Sequence, residues 1–414
     1  MMQDESQKAI GRRVRAARHA AGLTQEELSG LIGRSVSWME SVEAGRMPLD
    51  RFSVICSIAE VCDVDPVWIL GQPYRLRNDG GTSGHAYIPA LRTVLRRSGL
   101  ILSGHPGLVP TSGPAELSQM RTQAGAVNRA RQGAALPGAA SVLPGLLEEL
   151  NTALLTHDCG AEREQALRLM VDASRNARQT LNALGYPDLA WVAAEVAAGA
   201  AKELDDPISK AAVAWDRCGA MLHHGSLRET EAIAQAALAD LEPLVSSGSS
   251  TGLALHGALL LRQVIASARM GNKTEAWQHT REAWSIAERL PEDYHDLAYQ
   301  TVFGRPNVAV HAAEVGVELE EPDKGLRFVP EVNVSTVPSR ERLTHYRIDE
   351  ARAFRQMGKS AAAVATLRKA AAHAPHYVYA NPMARALAAD MVRTGVPSQS
   401  AALSGLVRNM ELVV

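Results

Sequence analysis

In this chain the residues able to do covalent or redox chemistry do not converge. Cys56, Cys62, Cys159 and Cys218 are scattered with no C-x-x-C pair, so the spacing predicts reduced thiols rather than a zinc site or a disulfide framework. His223-His224 has no plausible nucleophile or third ligand nearby, and Gly80-Gly81-x-x-Gly84 follows no strand, so it is not expected to cradle a phosphate. No catalytic set, metal or cofactor is expected. What remains are groups that bind rather than react. One set, polar and basic, lies between Arg18 and Arg51; the other, aromatic and hydrogen-bonding, lies between Trp191 and Arg347.

These sets must be carried by 414 residues that are 46% apolar, 21% charged and only 4% aromatic, with a net charge of −2. That length exceeds a single ordinary domain at roughly 100 to 200 residues each, and favours two or three domains or a repeat array. The opening MMQDESQKAIGRR has no apolar stretch of the kind an export signal carries, and no run reaches the roughly 18 apolar residues of a membrane span. A cytoplasmic address without membrane contact is expected. Charge is uneven: residues 72–131 hold eight arginines against Asp79 and Glu116, whereas residues 1–71 hold eight basic against ten acidic residues. Any nucleic-acid contact must therefore be local and specific rather than a broad basic surface.

The N-terminal segment reads as short helices. Ile10, Val14, Ala17 and Ala21 share one face of the first, which Gly22 ends. Thr24 and Glu27 form a capping-box pair before a helix at Gln25–Ile32, and Gly33 permits a tight turn. Ser35 caps a third helix that turns Met39 and Val42 inward and ends at Gly45. Two helices joined by so short a turn make a helix-turn-helix, whose second helix can enter a major groove.

The run Gly22-Leu23-Thr24-Gln25-Glu26-Glu27-Leu28, with Gly33, Ser35, Ser37 and Met39 through Val42-Glu43-Ala44-Gly45-Arg46, resembles the Cro/XRE-type helix-turn-helix of phage repressors and bacterial regulators. The likeness extends over about residues 8 to 71 and includes Ile58 to Leu70, which look like that family's fourth and fifth helices. It implies that Gln25 contacts a phosphate and braces the recognition helix, and that Val36, Ser37, Trp38 and Ser41 read bases. Val36 suits a thymine methyl. Trp38 departs from the small or polar residue usual there, leaving open a sugar and methyl contact or a protein interface. Glu40 would face phosphate unfavourably. Arg34, Arg46 and Arg51 flank the helix as phosphate clamps. Arg18 and Glu43 resemble an ion pair that serves structure rather than recognition. The other reading of the whole segment is a helix-turn-helix used for protein contacts.

Residues 72–144 are punctuated by Gly, Pro and Ser and are expected to be a linker with two helical fragments, Ile88–Leu95 and Ala115–Arg131, either touching the DNA backbone or docked on the segment that follows. Beyond it, over residues 145–396, alanine-rich helices follow one another. Gly185, Gly225, Gly271 and Gly358 each precede a new helix, with Ala197, Ala237, Ala283 and Ala370 twelve residues on and Ala190, Ala276 and Ala363 at the fifth position. Pro207, Pro243, Pro291 and Pro375 are expected after the second helices. This resembles tetratricopeptide (TPR) repeats with longer spacing, with degenerate pairs near Leu146–Thr156 and Asn307–Phe328, a capping helix at Met383–Thr394 and a tail at 397–414.

The fold class expected is therefore all-α, an N-terminal lambda-repressor-like helix-turn-helix domain (6–71) followed by a TPR-like α-solenoid. The resemblances imply a transcriptional regulator of actinobacterial type, binding a double-stranded DNA operator as a homodimer and sensing a small molecule or peptide. Trp191, Trp215, Trp277, Tyr299, Asn307, His311 and Arg347, together with Trp284 and Tyr294, are the residues that could line an effector site. Asn307 and His311 stand at i and i+4 on one helical face. For the tryptophans and for this pair, plain core packing is the other reading, and a TPR protein-interaction scaffold with a secondary DNA-binding head is the other function.

Overall fold

Local signals place the first five helices. A computed structural model describes residues 7–73, 84–105, 107–110, 113, 116–328, 333–394 and 400–412, and all the regular structure among them is helical. In the head, α1 (Gln7–Ala20), α2 (Gln25–Leu31), α3 (Val36–Glu43), α4 (Phe52–Cys62) and α5 (Pro66–Leu70) enclose Val14, Leu28, Met39, Val42, Ile55 and Ile69. Thr24 caps α2 through the reciprocal bonds of a capping box with Glu27, and Ser35 accepts the Trp38 N–H at 3.2 Å to start α3.

The array starts earlier than the punctuation indicates. α6 (Ile88–Leu102) packs on α8 (Leu136–Thr156) and α10 (Pro187–Leu204), and α7 (Leu117–Gln132) packs on α8 and α9 (Ala161–Ala183). The basic stretch thus supplies two docked helices, and the boundary drawn at 144 falls inside α8 because Leu143, Leu146 and Leu147 continue one buried face across Pro144. Gly80 and Gly81 lie outside the described residues.

Helix pairs follow: α9 with α10, α11 (Pro207–His224) with α12 (Leu227–Ser246), and α13 (Ser250–Arg269) with α14 (Lys273–Glu288). Next come α15 (Arg305–Glu318) with the short α16 (Pro322–Leu326), then α17 (Arg340–Gln356) with α18 (Ser360–His373). Gly185, Gly225, Gly271 and Gly358 turn between paired helices at φ from 74° to 84°, where a side chain would be strained. The alanines counted from them are buried at the helix crossings. Pro207 and Pro375 open helices and Pro291 follows one, but Pro243 lies within α12, whose buried Leu241 and Val245 carry the same face past it. The chain closes with α19 (Pro375–Ala380), α20 (Pro382–Arg393) and α21 (Ser400–Asn409), where Leu403, Leu406, Met410 and Leu412 are buried; the expected tail is a docked helix.

The array returns on itself. Arg131 of α7 donates to Glu341 of α17 at 2.9 Å across 210 residues, and also reaches Asn176 at 2.9 Å and Gln300 at 3.3 Å. The first helices of successive pairs, α9, α11, α13, α15 and α17, face a common interior. Gly257 of α13 lets Phe303 close in: a Cβ there would lie 1.9 Å from the Phe303 ring, which is fully buried. Gly257→Ala is expected to destabilise the protein by about 1 to 3 kcal/mol through overpacking, measured by urea denaturation; an unchanged midpoint would mean that Phe303 moves freely.

Candidate nucleic-acid interface and central cavity

α3 is held from behind by one carboxylate. Glu43, at its end, accepts from Arg18 Nε at 2.6 Å, Arg18 Nη2 at 3.0 Å and Gln25 Nε2 at 2.8 Å, while Arg18 Nη1 donates to the Leu23 carbonyl at 2.8 Å. Burial acts to raise the Glu43 pKa, but the bonds from Arg18 and Gln25 outweigh it and hold the group below its ordinary value. Gln25 therefore ties the start of α2 to the end of α3. With Met39 and Val42 buried, Val36, Ser37 and Glu40 are exposed on the opposite face, Ser41 is half-buried, and Arg46 is exposed beyond the helix end. The carbonyl of Ser41 takes the N–H groups of Arg46 and Met47 at 2.7 and 3.0 Å, which closes the turn.

The flanking residues turn elsewhere. Arg51 pairs with Glu320 at 2.7 Å and Arg34 reaches the same carboxylate at 3.5 Å. Glu320 belongs to the loop after α15, so both arginines engage the array instead of standing free as phosphate clamps. Trp38 is half-buried, with Arg34 5.5 Å from its ring centroid, and lines a cleft between head and array with Leu49, Val54, Arg355, Asp390 and Arg393. In this arrangement Trp38 packs within the chain, and both readings of it, a sugar and methyl contact or a protein interface, stand.

A second tie joins the head to the interior. The Ser53 N–H, in the first turn of α4, donates to Glu318 Oε2 at 3.2 Å, and Arg352 Nη2 donates both to the Asp50 carbonyl at 2.7 Å and to Glu318 Oε1 at 3.0 Å. Arg269 stands 4.5 Å from the Phe52 ring centroid, and His223 packs edge-on to the same ring. Glu318, Arg352, Arg269, His223 and Phe52 all line one cavity of about 160 Å³ at the centre of the array.

Sequence reasoning found two of that cavity's residues, Trp215 and His311. Trp215 is 3% exposed and surrounded by arginines. His311 donates from Nδ1 to the Asn307 carbonyl at 2.8 Å, and burial, reinforced by Arg342, pushes its pKa down to about 3, so the ring is neutral. Asn307 is buried beside the cavity and donates to the Thr301 carbonyl at 3.3 Å. The others lie apart from the cavity wall. Trp277 donates to Glu321 at 2.7 Å and stacks on Phe328, which Trp284 meets edge-on. Tyr299 gives its main-chain carbonyl to Arg175 at 2.6 Å; Tyr294, Trp191 and Arg347 are half-buried outside the cavity. Trp191, Trp277 and Trp284 are carried by the outer helices α10 and α14, and Tyr294 and Tyr299 by the segment between α14 and α15.

The missed residues are Arg178, Arg262, Arg269, Glu314, Glu318, Arg342, His345, Asp349 and Arg352. For Arg262 the signal was a lone charge in an apolar run, Leu259-Leu260-Leu261-Arg262-Gln263-Val264-Ile265, whereas Arg342, His345, Asp349 and Arg352 belong to a helix rich in charge, which does not single them out. Glu314, His345 and Asp349 bring three potential metal-ligand atoms within 4.8 Å of one another, as do the more open Asp65, Asp188 and His224. In the first group, Arg269 and Arg352 already engage the carboxylates at 3.1 and 2.6 Å. Burial opposes charge on His345, but Asp349 and Glu314 outweigh it and its pKa lies above the ordinary value. That arrangement needs no metal to neutralise it.

Residues 9–67, which run from α1 into α5, match the family described as helix-turn-helix domain. The head is a helix-turn-helix DNA-binding domain. A comparison of the chain with curated proteins finds no match. Among the described residues, no helix is long and apolar enough to cross a membrane.

Glu43→Ala leaves Arg18 buried without its counter-charge and removes the acceptor of Gln25. A loss of about 3 to 5 kcal/mol is expected, read by chemical denaturation, whereas Ser37→Ala on the open face should stay within about 0.5 kcal/mol of the parent. Equal effects would remove the distinction between bracing and reading residues.

Proposed function

We propose that the protein is a sequence-specific transcriptional regulator in which a TPR-like array senses a small molecule or peptide and governs presentation of the DNA-binding head. One observation carries the reading: Glu318 and Arg352 face the cavity while bonding the backbone of the head at Ser53 and Asp50. A ligand that alters those side chains has different affinities for the docked head and for any other placement, which is the requirement for a switch. The pairing of Arg34 and Arg51 with Glu320 supports a docked state that holds back phosphate contacts. The resemblance to Cro/XRE regulators favours a homodimer on an inverted repeat with half-sites about one helical turn apart, in an actinobacterial cytoplasm.

The first experiment is a selection of genomic fragments by the full-length protein, with and without extract from the producing cells. An enriched palindrome whose recovery shifts with extract supports the proposal; no enriched sequence in either arm overturns it in favour of an interaction scaffold. Substitution of Ser37 and Trp38 together is expected to abolish that enrichment. Glu320→Gln, which frees Arg34 and Arg51, should tighten binding to the selected fragment about fivefold, the ~1 kcal/mol scale of an exposed ion pair, without changing the preferred sequence. Unaltered affinity in a fragment-binding titration would mean that the docked contacts do not restrain the head.

A further inference from the structure

The cavity wall holds more positive charge than it neutralises around Trp215. Three guanidiniums stand about that ring, Arg262 at 4.0 Å, Arg178 at 5.5 Å and Arg175 at 6.0 Å from its centroid. One carboxylate, Asp216, serves two of them: Oδ1 accepts from Arg178 and Oδ2 from Arg175. Arg262 has no such partner. Among the described residues no carboxylate lies within ion-pair distance of Arg262, and its side chain makes no hydrogen bond; its Nε is buried and unpartnered, and the residue is only 9% exposed. Arg342, on α17, likewise has no ion pair among the described residues and a buried, unpartnered Nε. Both line the cavity.

α11 is shaped to admit this crowding. A Cβ on Gly219 would lie 2.8 Å from Arg178 Nη1 and 3.1 Å from Arg262 Nη2, so the missing side chain leaves room for two guanidiniums side by side. Burial first, and then Arg178 and Arg342, bring the Arg262 pKa down to about 9, still above neutral pH. A charged group buried without a counter-ion costs several kcal/mol, and the rest of the interior avoids that cost by pairing: Arg131 with Glu341, Arg269 with Glu314, Arg352 with Asp349 and Glu318. The carboxylates Glu314, Glu318 and Asp349 are thereby committed to other arginines and repel a second anion from their side.

We propose that the central cavity is a binding site for a small organic anion, whose carboxylate or phosphate group is held by Arg262 and Arg342 beside Trp215. At about 160 Å³ the space is close to the roughly 150 Å³ that admits a benzene-sized molecule, so the part of the ligand it holds has on the order of ten non-hydrogen atoms. The inference names the effector class of the regulator proposed above and rests on that reading for its consequence at DNA, though not for binding itself. An anion drawing on Arg342 also touches the helix that carries Asp349 and Arg352, and so the tie to Asp50 of the head.

The test uses full-length protein in low-salt buffer, titrated with inorganic phosphate, succinate and benzoate, with thermal unfolding and calorimetry as readouts. At least one probe is expected to bind saturably and raise Tm, which also separates phosphate from carboxylate recognition. R262M and R342M should each weaken that probe at least tenfold, and R262K should retain part of the binding. Circular dichroism checks that the variants fold; R342M, on a different helix, tests the site even where R262M does not fold. Absence of saturable binding by all three probes, or equal binding by both variants and the parent, overturns the inference. Fragment binding separates the two proposals. An anion that binds through Arg262 yet leaves DNA affinity unchanged upholds the site and removes the switch; DNA affinity that responds to extract while no anion binds upholds the switch and removes the site.

Discussion

α4 begins without a capping side chain of its own. Arg51, in the capping position, makes no hydrogen bond to the first turn, and the acceptor for the Ser53 N–H comes from Glu318, 265 residues later. An uncapped helix N-terminus carries unsatisfied donors and partial positive charge, so a carboxylate there is favourable in both respects. Glu318 is fixed in turn by Arg352, Arg352 by Asp349, and Asp349 by His345, which also faces Glu314; Glu314 holds Arg269, whose guanidinium returns to the head at Phe52. The head thus rests on a chain of alternating charges, each neutralised by the next. Such a network is worth most when complete, because every member left alone is a buried charge in low dielectric.

The composition of the inner helices follows from the same geometry. Alanine at the crossings brings neighbouring helices close, and the long arginine side chains then reach inward to fill the space that the curvature leaves. The interior is small because arginine occupies it, and polar because arginine brings carboxylates with it. Trp215 serves as a floor for these three guanidiniums, while Trp191, Trp277 and Trp284 sit on the outer helices, away from the cavity.

What could be read in the sequence was what local chemistry determines. The capping box at Thr24 and Glu27, the turn at Gly33 and the inward spacing of Met39 and Val42 specify the helix-turn-helix within about twenty residues, and the four turn glycines mark helix pairs because a positive φ is a local requirement. The cavity was not legible, since Arg178, Arg262, Glu318 and Arg352 belong to different helices and meet only after the array curves. Nor was the docking of the head. Arg34 and Arg51 have the right type and position for phosphate, and nothing near them in the chain announces Glu320. The seven residues chosen for an effector site were picked for aromaticity and hydrogen-bonding capacity, whereas most of the polar wall is long charged side chains; of the seven, only Trp215 and His311 lie in it, and neither carries charge.

The contact between Arg131 and Glu341 bears on how the molecule forms. An open stack of helix pairs can nucleate anywhere, grow by nearest-neighbour contacts and fray from its ends. Here α7 near the start of the array is bonded to α17 across 210 residues, and the head is bonded to α17 as well, so the stack between α7 and α17 is closed on itself. Closure of that kind raises the share of distant contacts, which slows folding, and converts local opening into a cooperative event. The closed part gains unity at the expense of speed, and a pair between α7 and α17 loosens only with its neighbours registering the change.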